Sequence, residues 1–147
     1  MIKIAQTEAD IQRCIPAMLA LRPHLTAEKA LEQIVFMQKN DRYVVAYVDN
    51  SDRNPAETVA PAAIGYRYMN LLFSGKTLYI DDLSTLPDQR GNGYASQLLD
   101  FVIDEARKAG CSVVTLDSGH NPQRYDAHRL YLNKRFNIVS HHFALKL

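Results

Sequence analysis

The stretch from Thr77 to Gly110 constrains this chain most, because a strand, a turn with two glycines and an amphipathic helix follow one another without a gap. Thr77 to Leu86 is rich in β-branched, aromatic and aliphatic residues, and Pro87 ends any ladder pairing, so this is a strand. After the turn Asp88-Gln89-Arg90-Gly91-Asn92-Gly93-Tyr94, the apolar residues Ala95, Leu98, Leu99, Val102, Ile103 and Ala106 recur at helical spacing, with charged residues between them. A helix from about Gly93 to Ala109 follows, with Arg107 and Lys108 in its last turn and Gly110 as a left-handed stop.

A strand, glycine turn and helix in this order suit anion capture. The first amides of a helix have no internal partner and sit at the positive end of its dipole. Gly91 and Gly93 let the backbone approach a ligand, and Arg90 adds a fixed positive charge. A nucleoside-triphosphate P-loop would need Gly-Lys-Ser/Thr after the glycines, which this chain lacks. A dinucleotide site is the nearer rival, with Asp117 about where a ribose-binding acid belongs, and it would make the chain an oxidoreductase. About thirty residues after Asp117 are too few for the further βαβ units of a doubly wound sheet.

The remaining segments read in order. Ile2 to Gln6 alternates as a short strand, and Thr7 and Asp10 offer cap chemistry to a helix with Ile11, Cys14, Ile15, Met18 and Leu19 inside, which Pro16 is expected to kink or break. A turn at Arg22-Pro23-His24 leads to a second helix capped by Thr26. Arg42–Val48, Ala62–Phe73 and the strand from Thr77 form an antiparallel meander, with a polar loop from Asp49 to Pro61. Ser112–Leu116 is a strand parallel to the one before the central helix, a short helix runs near Asp126 to Asn133, and Ile138–Leu147 is expected to close as a strand. The fold class is α/β with a mixed sheet, in one domain over residues 1–147.

Composition narrows the function classes. With 147 residues, 47% hydrophobic content, a formal charge of +1 and a pI near 7.8, the chain can build one core and carries no field that would recruit nucleic acid or a membrane. It has no bilayer-length apolar run and no signal-peptide layout at Met1-Ile2-Lys3-Ile4, so a cytoplasmic protein is expected. Cys14 and Cys111 lie far apart without metal-ligand spacing and are expected to be core thiols; His128, His141 and His142 are read as structural, and no metal is expected.

The run Arg90-Gly91-Asn92-Gly93-Tyr94-Ala95 resembles the coenzyme A pyrophosphate loop of the GNAT N-acetyltransferase superfamily, whose pattern is Arg/Gln-x-x-Gly-x-Gly/Ala. Ala127-His128-Arg129-Leu130-Tyr131 followed by Phe136 resembles that family's late helix with its tyrosine and Gly-Phe turn. Asp117-Ser118-Gly119 with Arg124 to Arg129 is similar to a subgroup of small-amine acetyltransferases that includes aminoalkylphosphonate enzymes. The resemblance implies acetyl transfer from acetyl-CoA, as cosubstrate, to a primary amine of a small molecule or peptide. A non-catalytic acyl-CoA sensor is the alternative of a different class, and a homodimer is left open.

By the same resemblance, the backbone of Leu83, Ser84 and Thr85 would bind the pantetheine arm at a bulge, and residues 90–95 the pyrophosphate. Arg124 would also lie along the coenzyme, where many members have Asn. Tyr131 would be the acid for the leaving thiolate. Asp82 would receive the amine proton, with Asp81 the second candidate. Asp81 and Asp82 are consecutive, so strand alternation sends them to opposite faces and bars a paired-carboxylate site. Arg22, His24 and Asp117 become candidate acceptor contacts. Arg135 stands where the family has Gly before Phe136, so that turn is expected to take a different backbone conformation.

Overall fold

In the computed structural model, all of residues 1–147 are described, and they form two compact units, Met1–Thr115 and Leu116–Leu147. The sheet has five strands in sequence order: β1 (Ile2–Ile4), β2 (Tyr43–Val48), β3 (Ala62–Leu71), β4 (Gly75–Thr85) and β5 (Val113–Leu116). Pairing is antiparallel from β1 to β4, and β5 adds to β4 in parallel, which makes the sheet mixed.

Helix α1 (Glu8–Leu21) starts at a full capping box: Asp10 N–H donates to Thr7 Oγ1, and the Asp10 carboxylate accepts from Thr7 N–H. Pro16 does not interrupt it. Cys14, Ile15, Ala17 and Met18 are buried on both sides of the proline, so core packing holds the two halves as one element. Helix α2 (Ala27–Asn40) is capped by Thr26, whose hydroxyl accepts from Lys29 N–H. Ala30 and Ile34 of α2 join the buried α1 residues and Tyr43, Val45, Tyr47 and Ala63 in one cluster on one face of the sheet. Ile64, Tyr66, Leu78 and Ile80 alternate to the other face, where helix α3 (Tyr94–Lys108) buries Leu98, Leu99, Val102 and Ala106. Gly110 (φ 74°) ends α3 in a Schellman motif, with Cys111 N–H donating to Ala106 O. Cys14 is fully buried; Cys111 is half-buried, because it heads the approach to a short edge strand.

In the second unit, helix α4 (Tyr125–Asn133) also ends in a Schellman motif. Arg135 N–H donates to Leu132 O, Phe136 N–H donates to Tyr131 O, and the Phe136 and Tyr131 rings lie 6.1 Å apart. Arg135 has φ 67°, so it keeps the left-handed conformation that a glycine would take there. The expected change of backbone does not occur: the two closing hydrogen bonds and the ring contact hold the turn despite the Cβ. The expected strand at Ile138–Leu147 is also absent. Ile138, Val139, Phe143, Leu145 and Leu147 are exposed and the segment has no ladder, and strand-type residues form a strand only where a pleated partner covers them.

Candidate active site

The site begins at the end of β4 and continues into α3. The N-cap of α3 is Gly93, in the left-handed region at φ 76° and with no side-chain cap, so the amides of Tyr94, Ala95 and Ser96 keep no acceptor within the protein. Gly91 has φ 84°, and a Cβ on it would meet nothing within 4 Å. The approach is therefore open and the donors are unspent, as an anion site requires. Arg90 through Gly93 are exposed, Asn92 is tied down by donating to Gln89 O, and the Tyr94 hydroxyl accepts from Asn50 Nδ2 at 3.2 Å.

Upstream, β5 has four residues, and Ser112 N–H just before it donates to Lys76 O near the start of β4. The β4–β5 ladder is thus confined to the first part of β4. Leu83, Ser84 and Thr85 lie beyond it and pair with Ile64, Ala63 and Ala62 of β3 on their other side. The irregularity in β4 comes just before this segment: Ile80 pairs with Tyr66 and Asp82 with Gly65, so Asp81 is the extra residue of a bulge.

That bulge overturns the alternation expected for the acidic pair. Asp81 and Asp82 both reach the α1 side of the sheet. Asp82 Oδ2 accepts from the Tyr43 hydroxyl at 2.7 Å, and its Oδ1 accepts from Arg22 Nε at 2.9 Å. Asp81 receives a fork from Arg67, Nε at 3.0 Å and Nη2 at 2.8 Å, while Arg67 also lies over the Tyr43 ring. Burial pushes the Asp81 carboxyl up from its ordinary value, against the pull of Arg67. Burial, followed by the Asp82 charge, pushes the Tyr43 phenol well above its usual range, so it remains a proton donor to Asp82.

Gly65 makes this contact feasible. A Cβ built on it would overlap the Tyr43 hydroxyl, so the phenol crosses the sheet to Asp82 only because position 65 has no side chain. Tyr43, Gly65 and Arg67 were not singled out from the sequence. The one available signal was a glycine inside the otherwise apolar run Ala62-Ala63-Ile64-Gly65-Tyr66, which marks a close approach of another group.

The other candidate residues are distributed as follows. His24 is exposed, and no contact joins it to the acidic pair. In the second unit, Tyr131 is buried; burial raises its phenol, while Arg124 beside it pulls the other way. Arg124 Nε donates to Ser118 Oγ at 3.3 Å, and His128 Nε2 is 3.0 Å from the same oxygen. Asp117 lies 3.5 Å from His142 Nδ1. No three His, Cys, Asp or Glu side chains converge as a metal site would require, and no helix is long and apolar enough to cross a membrane.

The profile of the acetyltransferase (GNAT) family matches residues 9–136. The chain belongs to this family. It is 37% identical over 130 residues to the uncharacterized N-acetyltransferase YhdJ of Bacillus subtilis, covering 87% of this chain and 85% of that one. It is 42% identical over 68 residues to the aminoalkylphosphonate N-acetyltransferase of Salmonella typhimurium, a stretch that covers 46% of this chain and 43% of that one. Among solved structures, an acetyltransferase of Trypanosoma brucei superposes with a TM-score of 0.77 at 19% identity over the whole of both chains. The ribosomal-protein-alanine N-acetyltransferase of Brucella melitensis superposes with a TM-score of 0.78 at 14% identity, over 100% of this chain and 99% of that one. The protein is an acyltransferase of the GNAT fold that moves an acetyl group to an amine.

Proposed function

We propose that residues 1–147 act as one acetyltransferase domain that uses acetyl-CoA and a primary amine of a small molecule or peptide. The reading is carried by the α3 entrance, where unspent amides behind Gly91 and Gly93 are open to an anion. The fit is chemical as well as spatial: Arg90 supplies charge next to these donors, and the β4 segment beyond the β5 ladder has backbone groups suited to an amide-containing arm.

In the reaction, the amine nitrogen attacks the thioester carbonyl, the C–S bond breaks, and the products are an amide and the free thiol of CoA. The ammonium must first lose a proton, which Asp82 takes directly or through a water, with Asp81 the second candidate. The thiolate must gain one, for which Tyr131 is the donor by its position in the family's late-helix motif. A thiol pKa of about 8.5 against about 10 for a phenol makes that transfer modestly uphill for an ordinary tyrosine. Burial raises the Tyr131 phenol further above the thiol, and Arg124 beside it offsets only part of that rise.

The test is thiol release from acetyl-CoA over a panel of amino acids, polyamines, aminoglycosides and peptide N-termini, with the product mass confirming one added acetyl group. Turnover with any amine supports the reading. Coenzyme A binding with no turnover on any of them would favour a sensor instead, and a thermal shift with a nicotinamide cofactor but none with CoA would favour an oxidoreductase.

A further inference from the structure

Helix α4 breaks a local rule where it begins. Arg124 is its N-cap and makes no capping hydrogen bond, and a cation at the positive end of a helix dipole is unfavourable. Its backbone is already near helical, at φ −98° and ψ −4°, so Arg124, His128 and Tyr131, spaced i, i+4 and i+7, share one stripe of the helix. Ser118, in the loop before α4, meets two of the three. Its Oγ accepts from Arg124 Nε at 3.3 Å and lies 3.0 Å from His128 Nε2. A hydroxyl donates one hydrogen bond and accepts two, so Ser118 serves both partners with either imidazole tautomer.

Arg129 shows what an ordinary cation of this helix does: it is exposed, and Asp126 neutralises it at 2.8 Å. Arg124 is half-buried, and the Ser118 hydroxyl that accepts from it is neutral, so this bond fixes the guanidinium without cancelling its charge. The charge lies beside Tyr131, whose phenol burial pushes up and Arg124 pulls back. Tyr131 is 8% exposed, so water does little to stabilise a phenolate there. With Nε held by Ser118, the Nη groups are the donors left to face the phenolic oxygen.

Resting on the acetyltransferase reading and on Tyr131 as its acid, we propose that Ser118 and His128 are positioning residues that clamp Arg124 against the Tyr131 hydroxyl. As the leaving thiolate takes the phenolic proton, the O–H bond breaks, the S–H bond forms, and the negative charge passes to the phenolic oxygen. A guanidinium fixed beforehand meets that charge without reorganising at the moment of transfer. His128 thus has a task beyond packing, and Arg124 serves the acid instead of the coenzyme.

The experiment measures thiol release from acetyl-CoA with the best acceptor of the amine panel. It uses the wild type, Ser118→Ala, Ser118→Thr, His128→Ala, Tyr131→Phe, and each alanine variant combined with Tyr131→Phe, with a melting temperature for each. Ser118→Ala and His128→Ala should each lower kcat about three- to thirtyfold and leave the KM for acetyl-CoA within about twofold. Ser118→Thr, which keeps a hydroxyl, should recover most of the rate. In a Tyr131→Phe chain, either alanine should cost nothing further, because the group it acts through is gone. Should Ser118→Ala fail to fold, His128→Ala and its double variant decide in its place. The same loss in the Tyr131→Phe chain, or a loss that falls on the KM for acetyl-CoA instead of kcat, would overturn the inference and leave the acetyltransferase reading intact. So would full kcat in both alanine variants, or in Tyr131→Phe. Turnover of none of the panel amines by the wild type would overturn both.

Discussion

The entrance of α3 and the acidic pair of β4 are built in opposite ways. From Arg90 to Ala95 the site is six consecutive residues, and its chemistry comes from backbone amides left unpaired by two left-handed glycines. The cluster around Asp82 draws Arg22 from the end of α1, Tyr43 from β2, Gly65 and Arg67 from β3 and the two carboxylates from β4, and its chemistry is in side chains. A site of the first kind depends on local dihedrals. One of the second kind depends on strand register and on a single bulge, so a change in any of several elements disturbs it.

The largest effect is expected where a contiguous motif supplies a reacting proton. Tyr131→Phe should lower kcat by about 10²–10⁴-fold, the usual worth of a positioned acid, with little change in the KM for acetyl-CoA. Full activity with every accepted amine would remove Tyr131 from the mechanism and leave the late-helix motif structural.

Gly65→Ala probes the dispersed cluster. The added methyl overlaps the Tyr43 hydroxyl, so overpacking should cost about 1–3 kcal/mol in urea unfolding. Tyr43→Phe placed in the same chain should recover part of that loss. If it recovers none, the tight contact is not the source, and the contrast between the two regions weakens.

Gly93→Ala returns to the contiguous region. At φ 76°, a Cβ should cost about 1–2 kcal/mol and raise the KM for acetyl-CoA, while the preference among amines stays the same. A changed amine preference would mean that the two regions are coupled.

The smallest effect on turnover is expected from a dispersed cluster away from the site. Asp49 is 2% exposed and is held by Lys3, Arg13 and the Ser51 amide; the Lys3 hydrogen bond is the main reason its carboxyl lies well below the usual range. A depressed folded value stabilises the native state above the ordinary carboxylate value, and that contribution is lost as pH falls. The stability gap between wild type and Asp49→Asn should therefore be flat above about pH 5 and narrow steadily below about pH 4. A gap that widened on acidification would reverse the sign of this account.

These contrasts also explain what could be read from the chain beforehand. Helix α3, its glycine stop and the order of β2, β3 and β4 follow from spacing and residue type within short windows. The bulge at Asp81 does not, because a bulge is a property of two paired strands, and missing it sent the two carboxylates to opposite faces. Gly65 carried a signal, but Tyr43 as its neighbour could be known only from the register of β2 on β3. Arg135 misled for a different reason: its side chain argues against a left-handed turn, yet the Schellman bonds and the Tyr131–Phe136 contact impose one. The tail from Ile138 has strand-like residues without a partner, and composition alone could not reveal that.

Binding of coenzyme A and of pantetheine, measured side by side by titration calorimetry, addresses the central claim most directly. If the α3 entrance grips a diphosphate, coenzyme A should bind at least about a hundredfold more tightly than pantetheine, which lacks the diphosphate, and Gly93→Ala should shrink that gap. Equal affinities for the two compounds would contradict the account, because the unpaired amides behind Gly91 and Gly93 would then contribute nothing to holding the coenzyme.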